Sequence, residues 1–298
     1  MSSYSFLQGT GVAVITPFNA DRTPDFVSLD NHINHLINSK IDYLVLMGTT
    51  GESATLMDFE KKALLLHVVD ICKGRIPLVA GMGGNNTFQL QQQLKELNTS
   101  GISAILSITP YYNKPNQEGL FQHYCQLSKA SPLPIILYNV PSRTGTNLLP
   151  STVFKLAEEC ENIIGIKEAS ANMNQVSELI KGKPNNFWII SGDDATTLPF
   201  LTLGGDGVIS VIANAVPLEF SQMVKHALKG SLKDAQTIHY KLIDLCNLLF
   251  IEGSPSGIKA LLNMQGMIKN HLRLPLVPVS SETYQLIEQA WLQFEKVK

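Results

Sequence analysis

The chain of 298 residues has little of what several large functional classes require. Its four cysteines, Cys72, Cys125, Cys160 and Cys246, are scattered without CxxC or CxxxC spacing. They suggest neither a zinc site nor a disulfide framework, and a reducing compartment fits best. A formal net charge of −2, with no basic run interleaved with aromatics, leaves no electrostatic footprint for nucleic acid. No apolar run approaches the roughly 18 to 20 residues that cross a bilayer, and Met1 to Gln8 lacks the basic-then-apolar order of a signal peptide. The expectation is a soluble cytoplasmic protein without nucleic-acid or membrane partners.

What is present is apolar residue in short runs. With 44% hydrophobic residues the chain can bury a large core. Gly11 to Ile15, Tyr43 to Met47, Pro77 to Ala80, Ile102 to Ile108, Pro134 to Tyr138, Ile163 to Ile166, Phe187 to Ser191 and Gly207 to Val211 are candidate strands. They are nearly continuous in Val, Ile and Leu rather than alternating, as parallel strands covered on both faces require. Segments of helical length separate them, with start signals at Asp58, Thr87 and Pro150-Ser151. A βα unit repeated eight times without linker or composition break fits a closed (β/α)8 barrel better than a doubly wound sheet. The barrel core is expected over residues 1–215. Residues 216–298 are expected to hold the last barrel helix and a helical extension, with helices at Pro217 to Leu228, Asp234 to Phe250, Ser256 to Ile268 and Ser281 to Val297.

Active sites of such barrels lie at the C-terminal strand ends, so polar residues that close apolar runs are the ones to weigh. The sixth run ends in Gly165-Ile166-Lys167-Glu168. Burial there disfavours the ammonium form, and a neutral amine can attack a carbonyl; the alternative is a lysine that snorkels to solvent. The second run ends in Gly48-Thr49-Thr50-Gly51-Glu52-Ser53, whose hydroxyls and amides can grip a small carboxylate or simply make a βα loop. The fifth ends in Tyr138-Asn139-Val140-Pro141-Ser142-Arg143-Thr144-Gly145. A phenol can relay protons and a guanidinium can hold a carboxylate, yet a core aromatic and a solvated charge are the commoner roles. Gly81 to Gly84 and Gly204 to Gly207 lack the spacing or the basic partner of a phosphate site and are expected as tight turns. His32 and His35 are expected at the surface, with no metal.

Together the segments around Thr50, Tyr138 and Lys167 resemble the dihydrodipicolinate synthase / N-acetylneuraminate lyase family of class I aldolases, in order and spacing over nearly the whole chain. The resemblance implies a TIM barrel with C-terminal helices, a homotetramer built as a dimer of dimers, and no cofactor. Lys167 would form an imine with pyruvate, and Thr50, Tyr138 and Tyr112 would relay protons, Tyr112 reaching in from a neighbouring subunit. Thr49 would hold the pyruvate carboxylate, Gly192 and Ile209 would line the pocket through backbone atoms, and Arg143 would meet the carboxylate of aspartate semialdehyde. Ser142-Arg143-Thr144-Gly145 favours the synthase side, in lysine and diaminopimelate synthesis, over cleavage of sialic or 2-keto-3-deoxy acids. A catalytically silent barrel that binds effectors is a further alternative. Ser53, Ala54, Asn85 and Tyr111 match an allosteric lysine site, but Lys61 and Gln89 stand where many relatives carry His and Glu. The added cation and lost anion imply weak inhibition by lysine.

Overall fold

The structure is a computed structural model that describes residues 4–297, so the first three residues of the N-terminal segment read above lie outside it. The eight strands are β1 (Gly9–Ala13), β2 (Tyr43–Leu46), β3 (Leu78–Met82), β4 (Ala104–Ile108), β5 (Ile135–Asn139), β6 (Ile163–Glu168), β7 (Trp188–Ser191) and β8 (Gly207–Ser210). All pair in parallel, and β8 returns to β1 to close the barrel. The first strand starts two residues earlier than its apolar run suggests, because Gly9 and Thr10 pair with Gly207 and Val208 at the closure.

The helices that cover the barrel are α1 (Phe26–Asn38), α2 (Asp58–Cys72), α3 (Thr87–Lys95), α4 (Gln117–Ala130), a single turn α5 (Pro141–Thr144), α6 (Pro150–Glu159), α7 (Met173–Gly182), α8 (Thr197–Thr202) and α9 (Pro217–Leu228). Beyond them lie α10 (Leu232–Leu248), α11 (Ser256–Met264) and α12 (Ser281–Val297). Every residue of β1, β2, β5, β6 and β8 is buried. Alternate residues divide between two cores. Val45, Val79, Leu106, Ile136 and Ile190 fill the barrel interior, while Leu44, Leu78, Ile105, Ile135 and Ile189 pack outward beneath the helices. Both faces are therefore apolar, which is why no alternation shows in the sequence.

Local details depart from the sequence reading. Asn86, not Thr87, caps α3 by accepting from the Gln89 amide at 3.1 Å, while the Thr87 hydroxyl meets His123 Nδ1 at 2.8 Å. Asp58 is already inside α2, and Glu60 closes that end by accepting from the Met57 amide at 2.9 Å. Gly81 and Met82 belong to β3 rather than to a turn. Asp206 does have a basic partner, Lys183, whose Nζ donates to both carboxylate oxygens at 2.9 and 2.8 Å. Asp206 also accepts from the Ile189 amide at 2.7 Å, so the pair bridges strand ends rather than binding an anion. Cys125 and Cys160 meet at 3.3 Å as free thiols; burial and that neighbour push the Cys125 thiol up to about 12.

His35 is exposed as expected, but His32 is fully buried. Its Nε2 pairs with Asn214 Oδ1 at 2.9 Å, and Asn214 in turn donates to the Ala13 carbonyl at 2.8 Å, tying α1 to the closure between β1 and β8. Burial holds the His32 imidazole down at about 4, against an ordinary 6.5, and His123 is likewise pushed down to about 4 by burial. The unfolded chain therefore takes up protons near pH 6.5 that the folded chain refuses. The stability from each neutral imidazole is complete above that pH and is lost as pH falls toward 4, on the order of 2 to 3 kcal/mol per group at the acid end. Thermal unfolding followed between pH 7 and 4.5 should show a midpoint that falls steadily, and more shallowly in His32→Gln. Equal slopes in the two proteins would show that His32 does not titrate as described.

Candidate active site

The position of Lys167 depends on an irregularity in β6. Ile135 pairs with Ile163, but Ile136 pairs with Gly165, so Ile164 has no residue opposite it. Ile164 faces the barrel interior and Ile166 the outer core, an order that unbroken alternation from Ile164 would reverse. Beyond the bulge Lys167 stands beside Tyr138 in register, and its Nζ lies 4.4 Å from the centre of the Tyr138 ring. Glu168 faces the other way. It accepts from Asn139 Nδ2 at 3.0 Å, Gln175 Nε2 at 2.9 Å and the Ser170 amide at 2.7 Å, so the nearest carboxylate in sequence is bound up outside the barrel.

Lys167 and Tyr138 are buried at the floor of a cavity of about 130 Å³ at the C-terminal strand ends. Gly48, Thr49 and Thr50 supply one wall. Their loop is pinned where Thr16 Oγ1 donates to the Gly51 carbonyl at 2.7 Å. Gly192 supplies another wall, and no larger residue fits there: a Cβ would sit 2.6 Å from the Ala169 side chain and 3.0 Å from Lys167 Cε. The end of β8 is held by buried Asp194, which accepts from the amides of Val211 at 3.0 Å and Ile212 at 2.8 Å. Burial pushes its carboxyl up to about 6. Ile209 is buried in the interior core and Val211, two residues on, faces the cavity. Arg143 sits at the mouth on α5, its Nη2 donating to the Ser254 carbonyl at 3.3 Å.

Tyr112 is not among the residues that line this cavity. It is 89% exposed, with a φ of 71°, at the centre of a tight turn closed by the Asn113 amide on the Tyr111 carbonyl at 2.9 Å. Of the other expected residues, Asn85 and Tyr111 are brought together, Asn85 Oδ1 accepting from the Tyr111 amide at 2.8 Å. Ser53 and Ala54 open a short 3-10 turn after Glu52. Lys61 Nζ lies 3.4 Å from Asp58.

Several residues of the site carry no signal that the sequence reading used. Phe250 and Ser254, between α10 and α11, reach the cavity from the C-terminal extension. Glu52 and Lys259 form an ion pair with both side chains wholly buried. The available clue was Lys259 itself, one cation in Ser256-Gly257-Ile258-Lys259-Ala260-Leu261-Leu262, since a charge inside so apolar a stretch needs a buried partner.

Similarity to known proteins bears on what such a site belongs to. A protein from Parabacteroides distasonis described as 4-hydroxy-tetrahydrodipicolinate synthase is 50% identical over 287 residues, 96% of this chain and 97% of its own. The crystal structure of dihydrodipicolinate synthase from Aquifex aeolicus superposes with a TM-score of 0.94 at 39% identity, covering 97% of this chain and 98% of that one. The chloride-inhibited dihydrodipicolinate synthase from Acinetobacter baumannii complexed with pyruvate gives a TM-score of 0.94 at 37% identity over 97% and 99% of the two chains. The model of the dihydrodipicolinate synthetase family matches residues 6–293, and the chain belongs to that family.

Proposed function

We propose that this chain is a lyase that condenses pyruvate with L-aspartate-4-semialdehyde to 4-hydroxy-tetrahydrodipicolinate, on the route to lysine and diaminopimelate, through an imine on Lys167. The observation that carries the proposal is the buried amine of Lys167 facing inward beside Tyr138, in a cavity walled by Thr49 and Thr50. The amine adds to the pyruvate carbonyl and water leaves. The iminium draws electrons from the methyl group, which gives up a proton and becomes the enamine carbon. That carbon attacks the aldehyde, whose oxygen takes a proton. The amino group of the semialdehyde then displaces Lys167 and closes the ring. Tyr138, Thr50 and Tyr112 of the partner subunit move the protons, Thr49 with the backbone near Gly192 and Ile209 holds the pyruvate end, and Arg143 receives the second carboxylate. The chemistry asks for no cofactor. Among the described residues no helix is long and apolar enough to cross a membrane; a cytoplasmic homotetramer is part of the proposal, as is a division into barrel and extension near residue 215.

Turnover of pyruvate with the semialdehyde tests the reaction, and Arg143→Ala tests the second substrate. The variant should lose on the order of a hundredfold in kcat/KM for the semialdehyde and little for pyruvate. Equal losses for both substrates contradict the assignment.

Tyr112 gives a test of assembly. Lys167→Ala and Tyr112→Phe should each be nearly inactive alone, yet refolded mixtures should regain activity, because a hybrid dimer holds one site with both residues native. Mixtures no more active than their parts would contradict delivery of Tyr112 by the neighbouring subunit, and a Tyr112→Phe protein that keeps its activity would place Tyr112 outside the relay.

Lysine should inhibit weakly or not at all, since Lys61 adds a cation and Gln89 no anion to the matching segment. Half-inhibition at submillimolar lysine in a steady-state assay contradicts this.

A further inference from the structure

The C-terminal extension does more than cover the barrel. Glu52 ends the loop that carries Thr49 and Thr50, in a left-handed conformation with φ 52°, which a non-glycine residue adopts only when its surroundings hold it there. Its amide donates to the Thr49 carbonyl at 3.1 Å, and its carbonyl accepts from the Thr55 amide at 3.0 Å. Its carboxylate points away from the cavity into the junction with α11. There Oε1 pairs with Lys259 Nζ, and Oε2 accepts from the Arg273 amide at 3.0 Å. Lys259 also donates to the His271 carbonyl at 3.0 Å and lies 4.2 Å above the Phe18 ring. Arg273 lies 4.7 Å from that same ring and grips Glu60 at 2.7 and 2.5 Å. The charged cluster thus joins the loop after β2 to α11 and to the segment that follows it.

The same end of α11 reaches the other side of the cavity. Ser254, two residues before the helix, accepts from Arg143. The start of α11 and the residues just before it therefore contact both Glu52, at the end of the Thr49-Thr50 loop, and the cation at the mouth.

We propose, building on the pyruvate chemistry above, that Glu52 and Lys259 are positioning residues that set the Thr49-Thr50 loop for the pyruvate carboxylate. Stability alone does not account for the pair. Removing two charges from water is expensive, and replacing a buried ion pair by apolar groups of similar volume is often neutral or stabilising. An ion pair is, however, directional, and it ties a loop to one place where apolar contacts permit sliding. Burial holds the Lys259 ammonium down at about 8, with Glu52 drawing it back up and Arg22 and Arg273 lowering it further. The cation is retained beside its carboxylate at neutral pH.

The test uses the full-length enzyme and reads kcat/KM for each substrate beside the thermal midpoint. Glu52→Gln and Lys259→Met each leave one buried charge unpaired and should lower the midpoint. The double variant Glu52→Gln/Lys259→Met removes both charges and should regain most of the midpoint. In all three, kcat/KM for pyruvate should fall about tenfold or more while that for the semialdehyde stays within about threefold. Glu52→Asp keeps the charge but shortens its reach, and should show the same split in a folded protein if the others do not fold. Pyruvate constants that recover with the midpoint in the double variant, or that do not move in folded variants, overturn the proposal. Wild type run in parallel separates the two claims: if it neither turns over nor forms a reducible adduct with pyruvate, the function above is what fails.

Discussion

A single extra residue in β6 decides which side chain enters the barrel. Because Ile164 is passed over in the pairing and Ile136 meets Gly165, the phase of the strand shifts before its last three residues. Lys167 then points inward and Glu168 outward. With unbroken alternation the roles would be exchanged: a carboxylate would stand at the floor of the cavity, and the amine would lie among the helices. Gly165 permits the crowding, since a Cβ there would meet the Trp188 carbonyl at 2.5 Å. The three hydrogen bonds to Glu168 from Asn139, Gln175 and Ser170 hold the outward choice in place. A buried amine without an adjacent carboxylate is not held as an ion pair, which is the condition for using it as a nucleophile.

Around that constraint the chain assembles the cavity from distant parts. β5 brings Tyr138 into register with Lys167, the loop after β2 brings two hydroxyls, and the extension closes the far side through Phe250 and Ser254. The fixed partners of these pieces lie outside the cavity: Glu52 against Lys259, Asp194 against the amides at the end of β8, and Asn214 between α1 and β1. The polar groups of Glu52, Asp194 and Asn214 are thus satisfied away from the cavity.

Much of this was legible in the sequence because parallel strands buried on both faces leave continuous Val, Ile and Leu runs, and eight of them with helical spacers admit few arrangements. Lys167 and Tyr138 were visible as polar ends of such runs. The bulge was not, since a run of Ile, Ile, Gly and Ile is apolar in either phase. His32 was misplaced for a related reason. A histidine three residues from an exposed one looks like part of a polar face until Asn214, 182 residues away, supplies its partner. The Glu52 and Lys259 pair is a long-range contact of the same kind, separated by 207 positions. Tyr112 is a different case: nothing in its position within this chain, exposed and at positive φ, brings it to the cavity, and its place in the relay rests on the proposed assembly.

In the proposed reaction the inward amine on β6 is the group that bonds to pyruvate. Borohydride reduction of the enzyme with pyruvate, followed by peptide mapping, tests it most directly. A single stable adduct is expected on Lys167, absent when pyruvate is omitted; an adduct on another lysine, or none in active enzyme, would rule Lys167 out as the nucleophile.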